Sequence, residues 1–128
     1  MAPSVLIVED EAILARNIQL SLEHHRYEVH VAATKEDGLR QFKEVRPSVV
    51  LLDIHLPDGD GREILRSIRQ TDANVGIIIM TAFGGVQLAV HAMAAGADDY
   101  VEKPVALDTL KILIDKLIGE HRPPAGTC

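Results

Sequence analysis

Four short apolar runs punctuate the chain, at Val5 to Val8, Val29 to Ala33, Val49 to Leu52 and Ile77 to Met80, and a weaker one falls at Tyr100 and Val101. Runs of this length, bounded by polar residues, predict strands. Between them the apolar residues take a helical spacing. Leu14, Ile18 and Leu22 recur every four residues, Leu39 and Phe42 sit three apart, and Ile64, Leu65 and Ile68 form a third stripe. Val86 to Ala95 and Leu107 to Ile118 complete five predicted helices. The stretch "TKED" at 34–37 reads as a capping-box-like start with Thr34 as N-cap. Gly96 is placed to stop the fourth helix, and Pro47 breaks the link into the third strand.

Five strand–helix units follow from this pattern. The first, third and fourth runs are apolar at every position, as in central strands of a parallel sheet covered by helices on both faces. The predicted fold is therefore α/β, a flavodoxin-like, doubly wound, five-stranded parallel sheet with five helices. Open sheets of this kind place their ligands at the carboxyl ends of the strands. After the fifth helix, "HRPPAGTC" loses periodicity and gains two prolines, which divides the chain into a domain over 1–120 and a linker or truncated tail over 121–128.

Composition narrows the function. A chain of 128 residues, 47% hydrophobic, suits one domain with a real core. Aromatics are 3% and Trp is absent, so Val, Ile, Leu and Ala fill that core and the stacking platforms of single-strand binders are missing. Thirteen basic against nineteen acidic residues leave a net charge of -6, which disfavours direct binding to nucleic acid or to an anionic membrane. The single cysteine, Cys128, permits no intrachain disulfide and fits a reducing compartment. The first residues carry no basic leader and the apolar runs are too short to span a bilayer, so the expectation is a soluble cytoplasmic protein.

The polar residues that follow the strands carry the candidate chemistry. Glu9-Asp10-Glu11 follow the first, Asp53 the third, Thr81 the fourth and Lys103 the fifth. Carboxylates converging at one point repel one another unless some take up a proton or a cation neutralises them. Hard oxygen donors with room for water and phosphate suit Mg²⁺. Asp53 is tolerable at the rim of a core if it shares a metal with Asp10, and a carboxylate there can attack phosphorus to form an aspartyl phosphate. Lys103 would supply an ammonium for the transferring oxygens and Thr81 a hydroxyl donor. Each residue also has an ordinary reading: Asp as a turn or cap, the acidic cluster as a partner of a helix dipole, Thr as a strand residue, Lys as a solvated side chain. Their weight comes from occurring together, each after a separate strand.

With those residues placed, the sequence resembles the receiver domain of bacterial two-component response regulators over roughly residues 4–119. The resemblance rests on "VLIVEDE" at 5–11, "VVLLDIHLPDGDG" at 49–61, "IIIMTAFG" at 77–84 and "DDYVEKP" at 98–104. It implies that Asp53 receives a phosphoryl group from a sensor histidine kinase. Mg²⁺ would be held by Asp10, Asp53 and the backbone carbonyl of His55, with Glu9 reaching it through water; many receivers carry the shorter Asp at the place of Glu9. Lys103 would pair with the phosphoryl group, and the bond to Pro104 would be cis. Thr81 and Tyr100 would form the switch, and Phe83 would lengthen the phosphate's lifetime by hindering water. Gly84-Gly85 is the candidate mobile segment, with a plain turn as the alternative. His24-His25 reads as a solvated helix end rather than a metal site.

The stretch from Met80 to Leu110 further resembles receivers of the NtrC class, whose members carry an AAA+ ATPase and a DNA-binding helix-turn-helix to activate sigma-54 promoters. These 128 residues contain no Walker motif. The resemblance thus implies an effector domain C-terminal to this segment, with a stand-alone regulator as the alternative. A homodimer is expected through the face of the fourth helix, fifth strand and fifth helix. The function is expected to be a switch that assists its own phosphorylation and hydrolysis rather than an enzyme releasing a product. A flavin- or nucleotide-binding protein of the same topology would want a Ser/Thr/Gly-rich phosphate loop where "EDEAIL" stands. An aspartyl phosphatase resembling the haloacid dehalogenases would want D-x-D after the first strand, which "VEDEA" lacks.

Overall fold

Placed in chain order, the elements are β1 (Ser4–Val8), α1 (Ala12–His24), β2 (Glu28–Ala32), α2 (Lys35–Val45), β3 (Val49–Asp53), β4 (His55–Leu56), β5 (Gly59–Asp60), α3 (Gly61–Thr71), β6 (Gly76–Thr81), α4 (Val86–Ala94), β7 (Asp99–Glu102) and α5 (Leu107–His121). They come from a computed structural model that describes residues 2–82 and 85–121. The five predicted strands become one parallel sheet in the order β2-β1-β3-β6-β7. All five predicted helices are present.

Period-two alternation sorts the strand residues between two cores. Val5, Ile7, Val49, Leu51, Ile78 and Met80 pack against Ala15, Ile18 and Leu22 of α1 and Leu110, Ile114 and Leu117 of α5. Leu6, Val8, Val50, Leu52, Ile77 and Ile79 face the other side, where Ile64, Leu65 and Ile68 of α3 and Ala92 of α4 lie, with Leu39 and Phe42 of α2 partly buried. Helices thus cover both faces, which is why the central strands read as unbroken apolar runs.

Local signals account for several boundaries. The Thr34 hydroxyl accepts the Asp37 N–H at 3.1 Å, so the expected N-cap forms. Gly96 follows α4 at φ 117°, in the region that favours glycine. Arg69, near the end of α3, donates to the carbonyls of Gly96 at 2.9 Å and Val75 at 2.7 Å and to Asp98 at 3.0 Å, clamping the connection that follows α4. The helices are not equally anchored: α3 buries Ile64, Leu65 and Ile68, whereas α4 buries Ala89 and Ala92 and leaves Val86, Val90 and Met93 exposed.

Several boundaries differ from expectation by a residue or so, and three differences bear on the site or the domain limits. β3 and β6 each run one residue further, so Asp53 and Thr81 are the last residues of their strands rather than the first residues after them. Residues 55–60 form a small antiparallel hairpin, β4 with β5, that the apolar pattern does not signal. Helix α5 continues through His121, one residue past the expected domain boundary, and the rest of the expected tail lies outside the described residues. No helix among the described residues is long and apolar enough to cross a membrane.

Candidate functional site

Strand order reverses between β1 and β3, and the crevice beyond their carboxyl ends is where an open α/β sheet offers a site. Glu9 leaves β1 there and Asp53 ends β3. Both are buried, whereas Asp10 is exposed beside them, and one carboxylate oxygen from each of the three lies within 4.8 Å of the others. Three carboxylates so close create a strongly negative spot with hard oxygen donors.

Lys103, just beyond β7, is the counter-charge. Its Nζ lies 2.8 Å from Glu9 Oε1, 3.3 Å from Asp53 Oδ2 and 3.4 Å from Glu11 Oε1. The contact to Glu9 is an ion pair without regular hydrogen-bond geometry, and that buried Oε1 has no hydrogen-bond partner among the described residues. The other Glu9 oxygen accepts the Glu11 N–H at 3.0 Å. Burial dominates at Glu9 and pushes its carboxyl from an ordinary 4.5 up to about 7, against the opposing pull of Lys103 and the Glu11 N–H. Burial pulls Lys103 the other way, but the Glu9 and Asp53 carboxylates outweigh it and hold the ammonium above its ordinary range.

The backbone fixes these side chains. The Lys103 N–H donates to the Thr81 carbonyl at 2.7 Å, locking the β7 end to the β6 end. The Lys103–Pro104 peptide is cis, as the resemblance implied. The Thr81 hydroxyl is buried and has no hydrogen-bond partner among the described residues, an arrangement that leaves a donor for an incoming acceptor. The His55 N–H donates to Asp53 Oδ1 at 3.2 Å, while the His55 side chain is exposed. Gly61 closes the loop: its N–H donates to the Ile54 carbonyl at 2.7 Å, and a Cβ on it would stand 2.1 Å from the Asp53 carbonyl oxygen.

The residues singled out in the sequence therefore divide. Glu9, Asp10, Asp53, Lys103 and Thr81 surround the crevice, and His55 borders it. Tyr100 is on β7, paired with Ile79 and half-buried against the core on the α3 side. Phe83 and Gly84 lie outside the described residues. Sequence reasoning placed Glu11, which reaches Lys103, in the acidic cluster without a role of its own, and assigned none to Gly61. The turn chemistry of "PDGDG" was a signal for the loop that Gly61 closes.

A flavodoxin-like sheet with an acidic crevice and one lysine at its switch point defines a class of small acidic-site α/β domains. The model of the response regulator receiver domain matches residues 5–115, so the chain belongs to that family. It is 43% identical over 103 residues to the transcriptional regulatory protein AfsQ1 of Streptomyces coelicolor, a match covering 80% of this chain and 45% of that protein. Among solved structures, a response regulator receiver domain protein from Clostridium thermocellum superposes with a TM-score of 0.87 at 34% identity, covering 92% of this chain and 95% of that one. NtrX from Brucella abortus superposes with a TM-score of 0.89 at 26% identity, covering 95% of this chain and 28% of that one. The chain thus spans less than half the length of AfsQ1 and NtrX. Membership in this family decides against the flavin-binding and dehalogenase-like alternatives.

Proposed function

We propose that this receiver domain is a phosphorylation-controlled switch in which Asp53 accepts a phosphoryl group from a sensor histidine kinase. The observation that carries the reading is the Lys103 ammonium 3.3 Å from Asp53 Oδ2, at strand ends where the buried Thr81 hydroxyl has no hydrogen-bond partner among the described residues. In the transfer, an Asp53 carboxylate oxygen bonds to phosphorus as the bond from phosphorus to the kinase histidine nitrogen breaks, and the histidine, protonated on its other ring nitrogen, keeps the bonding pair and leaves as neutral imidazole. Lys103 neutralises charge on the phosphoryl oxygens, and Thr81 donates a hydrogen bond to one of them. The His55 N–H holds the Asp53 carboxylate in place. Hydrolysis returns phosphate and the free carboxylate.

The donor set fits Mg²⁺, since three carboxylates supply hard oxygens and excess negative charge. Asp10 and Asp53 would hold the ion directly with the His55 carbonyl, and Glu9 through water. Bound there, Mg²⁺ would supply charge neutralisation for the transferring group. The protein's product on this reading is a changed surface, formed by α4, β7 and α5, available for dimerisation or for an effector domain. The share of NtrX and AfsQ1 left uncovered supports an attached effector, and the resemblance to receivers of the NtrC class argues for a C-terminal AAA+ activator over a stand-alone regulator.

The test is intact-protein mass spectrometry of wild type and Asp53→Asn after exposure to acetyl phosphate, with and without Mg²⁺. One added phosphoryl group that requires Mg²⁺ and is absent from the variant is the expected result. No addition from acetyl phosphate or from a purified kinase domain would sink the reading.

A further inference from the structure

The hairpin after Asp53 is fastened to a helix remote from it in sequence. Asp58, at its tip, accepts the Lys35 N–H at 2.6 Å and the Glu36 N–H at 3.0 Å. These are the first two N–H groups of α2, which the helix itself leaves without partners. The cap residue Thr34 already serves the third, Asp37. Lys35 adds a second tie, its Nζ lying 2.6 Å from Glu63 Oε2 in the first turn of α3. The Lys35 stem crosses Gly59 closely enough that a Cβ there would stand 3.2 Å from its Cδ and Cε.

The same hairpin is directly coupled to Asp53. Its first residue, His55, donates its N–H to Asp53 Oδ1 at 3.2 Å. Within the hairpin only His55 with Asp60 and Leu56 with Gly59 are paired, and a two-residue ladder has little stability of its own. A segment so short takes its position from its ties, and the one at its tip is Asp58. The two N–H donors also hold the Asp58 carboxyl below the usual carboxylate range, so the tie is charged at neutral pH.

We propose that Asp58 is a positioning residue for phosphoryl acceptance: by gripping the N-terminus of α2 it fixes the hairpin that orients the Asp53 carboxylate and the His55 carbonyl. The proposal rests on Asp53 being the phosphoacceptor. It is distinct from helix capping, which would stabilise α2 without touching the chemistry.

The experiment compares wild type, Asp58→Ala and Asp58→Asn. Initial rates of phosphorylation by acetyl phosphate are followed by intact mass across a Mg²⁺ series, and amide hydrogen exchange over residues 54–60 is measured without metal. Asp58→Ala is expected to slow phosphorylation and raise the half-saturating Mg²⁺ concentration by about three- to tenfold, below the range of more enclosed outer-shell partners because Asp58 is solvent-exposed. Its His55 amide should exchange several-fold faster. Asp58→Asn should recover only part of the loss, since its single amide oxygen replaces one of the two carboxylate oxygens that accept and its NH2 faces the other N–H. If Asp58→Ala lowers the melting temperature and speeds exchange of the Lys35 and Glu36 amides alone, with rates and His55 exchange unchanged, Asp58 is only a cap and the proposal falls. A wild type that takes up no phosphoryl group overturns the phosphoacceptor reading and this proposal together.

Discussion

Glu9 is the residue whose ionisation is most out of line with its type. Its side chain is fully buried and its carboxyl is raised to about 7 from an ordinary 4.5, mainly by burial. Between those values the folded chain holds a proton that the unfolded chain has lost. Stability of the metal-free protein is therefore greatest, for this group, below pH 4.5 and falls as pH rises toward 7. The full effect is on the order of 1–3 kcal/mol. Thermal melts in chelator across that range should show the decline, and Glu9→Gln should flatten it. An equal slope in the variant would assign the effect elsewhere. Asp10 and Glu9 were read in the sequence as one acidic cluster; which of them is enclosed depends on the path of the chain after β1 and not on residue type.

At the scale of elements, the loop from Asp53 to α3 is set by space at one glycine. Gly61 does not occupy the left-handed region, so its requirement is steric: a Cβ would fall 2.1 Å from the Asp53 carbonyl oxygen. Gly61→Ala is expected to cost about 3 kcal/mol or more in denaturant unfolding, at the upper end for overpacking because the obstacle is backbone. Phosphorylation of whatever folds should be slower as well, since the displaced atom belongs to Asp53. Much at this scale was legible in the chain. Unbroken apolar runs marked β1, β3 and β6, Thr34 marked the start of α2, and Gly96 the end of α4. The hairpin was not, because its strands are two residues long and lack an apolar alternation to betray them. Nor was the grip of Asp58 on α2, where the partners are 23 and 22 residues apart in the chain and only the folded sheet brings them together.

Taken as a whole, the molecule is held very unevenly around its sheet. The strand order and the convergence of Glu9, Asp53, Thr81 and Lys103 could be anticipated from the order of units, since a doubly wound sheet gathers its strand ends. The distribution of holding energy could not, because it depends on which face each helix turns inward. Burying Ile64, Leu65 and Ile68 ties α3 down by roughly 5–9 kcal/mol, whereas the two buried alanine methyls of α4 and its half-buried Leu88 together contribute roughly 2–4 kcal/mol. Amides of α4 should accordingly exchange with deuterium on the order of a hundredfold faster than those of α3; equal protection would contradict this ranking. Thr81 alternates in phase with Ile77 and Ile79 and so belongs to the face that α4 covers. A single hydrogen bond to a charged group, worth roughly 1.5–3 kcal/mol, is thus comparable with the whole grip of the sheet on α4 and well below its grip on α3. With Arg69 pinning the connection at its far end, α4 is a lever hinged on one side and lightly latched on the other, and the latch is set at about the strength of one polar contact.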